Sequence, residues 1–204
     1  MIVIIDYGVG NLQSIFNKIK RMDVDAIISS DPEDIEKAKK LILPGVGAFE
    51  NGMRNLKIFG LLSALNKKVI EKKTPILGIC LGMHLFTKSS EEGHVSGLGW
   101  IDCTTEKFKF TPDPKLKIPH IGWNTLQIEK NHPLLKRITD DLSFYFLHSY
   151  HLVCQKEDII LATTNYGYDF VSAVGKENIL GVQFHPEKSH KNGVKILRNF
   201  VEEI

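Results

Sequence analysis

Thr74-Pro75-Ile76-Leu77-Gly78-Ile79-Cys80-Leu81-Gly82-Met83-His84-Leu85-Phe86 reads as a short buried strand, an abrupt turn with Cys80 at its tip, and the first turns of a helix. Gly78 and Gly82 flank the cysteine as glycines flank the serine of a nucleophile elbow. Small residues on both sides let the backbone bend sharply and hold the side chain clear of the sheet. The N–H groups that open the helix then point toward the thiol and favour its anionic form. Two readings fit this stretch taken alone: an activated nucleophile, or a buried apolar cysteine between a strand and a helix.

Outward from the elbow, the N-terminal half alternates. Ile2 to Ile5 is a continuous apolar run of the kind buried on both faces of a parallel sheet. The tight loop Asp6-Tyr7-Gly8-Val9-Gly10-Asn11 follows, and Leu12, Ile15, Phe16, Ile19 and Met22 then recur at helical spacing. Val24 to Ile28 predicts a second strand, Asp31-Pro32-Glu33 the start of a short helix, and Lys40 to Leu43 a third strand entering Pro44-Gly45-Val46-Gly47. Phe59, Leu62, Leu65 and Val69 predict one apolar helix face before the strand that ends at Cys80. Such βα alternation argues for a parallel sheet covered by helices on both faces. After about Gly93 the windows become short strands: Trp100 to Phe110, Trp123 to Ile128, Leu142 to Leu147, Ile159 to Thr163, Phe170 to Val174 and Ile179 to Phe184. That half is expected to be antiparallel or mixed, closed by a helix carrying Val194, Leu197, Phe200, Val201 and Ile204. No linker or repeat divides the chain, so residues 1–204 are expected to form one domain.

Composition narrows the function classes. A net charge of +2 over 204 residues, with scattered lysines, carries no nucleic-acid footprint. The apolar N-terminal run is broken at Asp6 and is too short for a signal core or a membrane span. Cys80, Cys103 and Cys154 are odd in number, widely spaced and without C-x-x-C, which fits a reducing cytoplasm. The pairs Lys67-Lys68 and Lys72-Lys73 read as a solvated helix face. Gly8-Val9-Gly10 after a strand is no dinucleotide fingerprint, because Gln13 stands where the third glycine belongs. His148-Ser149-Tyr150-His151 has no carboxylate or thiolate set to complete a metal site, and is read as a loop at a pocket wall.

In open sheets of this class, ligands sit beyond the carboxyl ends of the strands. Asp6 to Asn11, Pro44 to Gly47 and Cys80 all follow strands and so are expected at one edge. Near the other end of the chain, Pro186 keeps His185 out of a helix. In an extended backbone the side chains of His185 and Glu187 leave on the same side, carboxylate beside imidazole. That pairing is the base and orienter of a nucleophile triad, or a loop histidine beside a solvated glutamate, and so short a motif taken alone favours the second. Pro44 to Gly47 is either a plain turn or a donor of a backbone N–H to an oxyanion, with the Leu81 N–H as the second donor.

Together these residues resemble the glutaminase subunits of imidazole glycerol phosphate synthases, within the class I (triad) glutamine amidotransferases. The resemblance runs nearly end to end, through the stretches beginning at Asp6, Leu43, Gly78, Pro119, Phe144 and Phe170, and on to Gly181-Val182-Gln183-Phe184-His185-Pro186-Glu187-Lys188-Ser189. It implies the three-layer, flavodoxin-like α/β fold of that class, with a central mostly parallel sheet and an antiparallel or mixed C-terminal portion. Carried over position by position, it implies a triad of Cys80, His185 and Glu187. Its oxyanion and substrate contacts fall on Gly45, Val46, Gly47, Leu81, His84, His148, Ser149 and Tyr150. It further implies glutamine as substrate and no metal or organic cofactor. The heterodimer partner it implies is a (β/α)₈-barrel cyclase that receives ammonia, with Asn11 and Lys188 near the seam. Two departures stand out. His84 replaces the usual glutamine four residues after the nucleophile, and Gly97-Leu98-Gly99-Trp100-Ile101-Asp102-Cys103 replaces the more usual Gly-Leu-Gly-Leu-Ile-Pro-Gly. Both are what a divergent second copy serving another synthase would show.

Overall fold

A computed structural model describes residues 1–110 and 116–204. The N-terminal half runs β1 (Ile2–Ile5), α1 (Leu12–Lys20), β2 (Ala26–Ser29), α2 (Pro32–Lys37), β3 (Lys40–Gly45), α3 (Phe49–Ile58), α4 (Leu61–Asn66), β4 (Ile76–Cys80) and α5 (Leu81–His84). The remainder comprises β5 (Ser89–Ser90), β6 (Cys103–Lys107), β7 (His120–Thr125), β8 (Gln127–Ile128), β9 (Ser143–His148), β10 (Tyr150–Cys154), β11 (Ile160–Asn165), β12 (Asp169–Lys176), β13 (Ile179–Val182) and α6 (His190–Glu203).

The main sheet has the order β2-β1-β3-β4-β13-β12-β10-β6-β5. Pairing is parallel from β2 through β13 and antiparallel from β13 through β6, so the expected α/β class and the change of character past the midpoint both hold. Strand β1 shows why. Ile2 and Ile4 face one core with Ile15, Ile19, Leu197 and Phe200, while Val3 and Ile5 face another with Leu43, Phe49, Leu56 and Leu65. Each face is worth about 1.5–3 kcal/mol per buried large aliphatic side chain, which only a strand covered on both sides collects. The last parallel strand, β13, comes from the far end of the chain and lies beside β4, in register from Ile179↔Ile76 to Val182↔Ile79. That crossover carries His185 to the edge where Cys80 stands.

Several local expectations change. The second strand starts later than Val24, because Asp23 turns the chain at φ 59°. The single apolar helix is two, broken at Gly60 (φ 70°), which leaves Phe59 half-exposed at the end of α3 while Leu65 and Val69 are buried. Lys68 is not on a solvated face: its stem is buried and its ammonium donates to the carbonyls of Glu36 and Ala38. The strand expected over Trp100 to Phe110 is confined to β6, and Trp100 instead stacks on Phe86 at 5.2 Å. His148 to His151 is no loop, since Ser149 alone separates β9 from β10. Cys103 and Cys154, 51 residues apart, lie directly opposite each other in the β6–β10 ladder and are joined by a disulfide, a proximity that spacing along the chain conceals. Among the described residues, no helix is long and apolar enough to cross a membrane.

Candidate active site

Cys80 is the last residue of β4 and is held at φ 53°, ψ −112°. A non-glycine residue there carries local strain of order ~1–3 kcal/mol, which the surrounding packing must impose. Two glycines make the packing possible. A Cβ on Gly78 would lie 2.7 Å from the Met83 amide nitrogen, and one on Gly82 would collide with the Leu43 carbonyl of β3. The helix that follows is only one turn, Leu81–His84, shorter than expected. It stops where the Thr87 N–H and hydroxyl both take the His84 carbonyl. So short a helix has little macrodipole, and any help to the sulfur comes from groups close to it. As a thiol, Sγ donates to the Leu147 carbonyl at 3.8 Å; protonated or not, it accepts from Nε2 of Gln183 at 3.7 Å.

His185 follows β13 and is fixed from both sides. Its N–H donates to the Tyr145 carbonyl of β9 at 2.8 Å, and its carbonyl accepts from the Ser189 hydroxyl at 2.7 Å. The backbone is not extended through Glu187, as the residues had suggested, but turns through a 3₁₀ segment at Pro186–Lys188. The carboxylate still reaches the ring, with Oε1 of Glu187 2.9 Å from Nδ1 of His185. Nδ2 of Asn11 donates to the same oxygen at 3.0 Å. Burial pulls the imidazole pKa down, but the neighbouring Cys80 sulfur and the Glu187 carboxylate outweigh it and raise the value to about 10. Burial likewise pushes Glu187 up, and the His185 hydrogen bond and charge, with Asn11, bring it below the usual range. The ring is thus kept as a cation. Its Nε2 is buried and has no hydrogen-bond partner among the described residues.

Beside the sulfur is a cavity of about 240 Å³. Of the residues expected to contact substrate, Val46, Gly47, Leu81, His84, His148, Ser149 and Tyr150 line it. Gly45 does not. It sits behind, in β3 opposite Cys80, packed against the Tyr7 hydroxyl and Leu81. Gly47 holds φ 104° with open space where a Cβ would be. His84 is buried and its Nε2 lies 2.7 Å from Oε1 of Gln183. Burial outweighs that bond and lowers its pKa to about 4, so the ring is neutral. His148 donates from Nδ1 to the Tyr150 carbonyl at 2.8 Å, which leaves Nε2 to accept from Nδ1 of His120 at 3.0 Å. His151 faces away, toward the Tyr168 hydroxyl at 2.8 Å.

Pro119, Glu92 and Leu147 also line the cavity, and Gln183 reaches the sulfur, with no signal in the sequence for any of these roles. Glu92 lines the cavity while its Oε2 accepts from the Phe49 N–H at 2.8 Å; in the polar run Ser90-Glu91-Glu92 nothing distinguishes it from a solvated carboxylate. Leu147 contributes a carbonyl, which side-chain patterns never report. Gln183 lies inside a quoted motif, but only the tertiary contact reveals what its side chain touches. Asn11 lies inward on Glu187, whereas Lys188 is exposed, with its ammonium over the Tyr145 ring at 5.6 Å.

The family model for class-I glutamine amidotransferases matches residues 3–204. The chain belongs to that family. Among curated relatives, the amidotransferase is 56% identical over 203 residues to "imidazole glycerol phosphate synthase subunit HisH 2" of Methanococcus maripaludis, covering 100% of both chains. It is 48% identical over 202 residues to the protein of the same name from Pseudomonas aeruginosa, covering 99% of each. Among solved structures, PurLQS from Thermotoga maritima superposes with a TM-score of 0.73 at 15% identity, over 99% of this chain and 97% of that one. The glutaminase domain of Trypanosoma brucei CTPS gives 0.67 at 16% identity, over 98% of this chain and 93% of that one. These two likenesses establish a shared fold.

Proposed function

We propose that this amidotransferase, as one domain spanning residues 1–204, is the glutaminase subunit of an imidazole glycerol phosphate synthase in histidine biosynthesis. The observation that carries the reading is a strained cysteine beside an imidazolium pinned to a buried carboxylate, at the wall of a small pocket open to solvent on one side. Sγ of Cys80 attacks the side-chain carboxamide carbon of glutamine. The N–H groups of Leu81 and of the Val46–Gly47 turn take the developing oxyanion. His185 gives its proton to the departing nitrogen, so that ammonia leaves and a γ-glutamyl thioester remains. The neutral ring then takes a proton from water, the hydroxyl adds to the thioester carbon, and glutamate departs as the sulfur is released. Glu92, with its negative charge at the cavity, suits the α-ammonium of the substrate. At about 240 Å³ the cavity is smaller than the ~300–1,000 Å³ of drug-sized sites, which favours one amino acid over an extended peptide.

Ammonia is mostly protonated in neutral water and then no longer nucleophilic, so the product needs a protected route to its acceptor. The partner in this reading is a (β/α)₈-barrel cyclase subunit. Exposed Ile118, Ile121 and Trp123, in and beside β7, support a docking face there, next to Tyr145 and Lys188. We place the pair in the cytoplasm, where thiols are kept reduced. There the β6–β10 ladder, rather than the bond between Cys103 and Cys154, is expected to hold the two strands together.

The test is glutamate release from glutamine with and without the barrel subunit. Release that rises on adding the barrel with its substrate, and that falls more than about 10³-fold in Cys80→Ser, fits the proposal. An undiminished Cys80→Ser variant rejects it. A second reading keeps the chemistry and changes the acceptor, for example to a synthase that aminates a surface sugar. It is favoured by His84 in place of glutamine. Identifying the barrel protein that co-purifies from the native cell separates the two.

A further inference from the structure

Gln183 plays no part in the chemistry described so far, yet it is fully buried against the nucleophile. It is the first residue past β13, and its backbone N–H is spent on the Ser172 carbonyl at 2.9 Å. Its side-chain amide bridges two groups of the cavity wall. Nε2 lies 3.7 Å from Sγ of Cys80, and Oε1 lies 2.7 Å from Nε2 of His84. Turned end for end, the same amide would set a carbonyl oxygen against the sulfur, where negative charge develops. The tautomer of His84 and the orientation of the amide are set together: the contact to Oε1 requires the neutral ring to carry its proton on Nε2, and in that form it holds the oxygen end and leaves the N–H end facing the sulfur. The result is a one-way chain, His84 N–H to Gln183 O, then Gln183 N–H to Cys80 sulfur, in which each bond polarises the next.

We propose that Gln183 is a positioning residue for the nucleophile: its amide N–H steadies the sulfur as a thiolate, and His84 fixes the amide in the donating orientation. This donor transfers no proton in the reaction, so it stays in place when His185 has lost its proton. It therefore serves the step in which the thioester sulfur departs as an anion. The consequence for turnover rests on the glutaminase reading, while the placement of the amide does not.

The experiment follows carbamidomethylation of Cys80 by iodoacetamide in the full chain from about pH 5 to pH 10, resolved by peptide mass. It is run for the parent, Gln183→Leu and Gln183→Glu, alongside kcat and KM for glutamine with the barrel subunit. Gln183→Leu is expected to move the midpoint of the alkylation profile up by about one pH unit, a tenfold loss of thiolate. Gln183→Glu is expected to move it further, with kcat falling about 10–100-fold and KM nearly unchanged. If either variant fails to fold, His84→Phe keeps a ring and removes the donor, and is expected to shift the profile the same way by a smaller amount. Superimposable profiles in folded variants, or an effect confined to KM, overturn the inference. Because alkylation needs no glutamine, a shifted profile in a chain that releases no glutamate would sink the glutaminase reading and leave this one standing.

Discussion

At the scale of single residues, the site is a problem in placing charge where water is scarce. His185 is a cation only because Glu187 and Cys80 outweigh its burial, and Glu187 keeps its charge because His185 and Asn11 share one of its oxygens. Glu187→Gln preserves shape and removes that charge. It is expected to lower kcat for glutamate release by about 10²–10⁴-fold with little loss of fold, measured by steady-state kinetics beside a thermal melt. The neighbouring histidines behave in the opposite sense. Burial lowers His84 and His120 to about 4, below their ordinary 6.5. Below about pH 6.5 the unfolded chain takes up protons that the folded chain refuses, so stability present at neutral pH is lost as pH falls toward 4. The melting temperature is expected to drop across that window, and His84→Gln to show a shallower decline. A parent whose melting temperature is flat from 6.5 to 4 contradicts the assignment.

Among the elements, the β3–β4–α5 junction governs whether Cys80 can be presented at all. Gly82 has no room for a Cβ, because the Leu43 carbonyl occupies the place, whereas Gly47 has room but a backbone of φ 104°. The two glycines are needed for different reasons and should fail differently. Gly82→Ala is expected to destabilise the chain by about 3 kcal/mol or more in urea titration, as overpacking against backbone does. Gly47→Ala meets no clash, and the strain of ~1–3 kcal/mol at a positive φ falls on the turn. It is expected to cost activity more than stability. Equal melting curves for the two variants would show that crowding at Gly82 is relieved by movement elsewhere.

For the whole molecule, the position of β13 matters most. The chain runs through the entire antiparallel half before β13 returns to lie beside β4, and only then do His185 and Glu187 reach the edge that carries Cys80. The same arrangement leaves the β7–β9 pair outside the main sheet with Trp123 47% exposed and stacked on His190 at 5.1 Å. A large aromatic ring at the centre of an interface is a frequent hot spot, worth about 2 kcal/mol or more. In a titration with the barrel subunit, Trp123→Glu is therefore expected to weaken association at least about 30-fold while leaving the melt unchanged. An unaltered affinity would put the docking face elsewhere.

The alternation of apolar runs and helical periods was enough to read the parallel half, because burial on both faces leaves an unmistakable local pattern in Ile2 to Ile5 and Ile76 to Cys80. Gly78 and Gly82 announced the elbow for a similar reason: a bend so tight excludes side chains, and the exclusion is written in the residues themselves. Contacts between distant segments left no such trace. Nothing local says that Cys103 meets Cys154, that Lys68 turns inward to two carbonyls, that Glu92 reaches the cavity, or that Gln183 lies against sulfur. Backbone bend and face burial are properties of a few consecutive residues, whereas a hydrogen bond across the sheet edge depends on strand order and register, which the chain settles only when it packs.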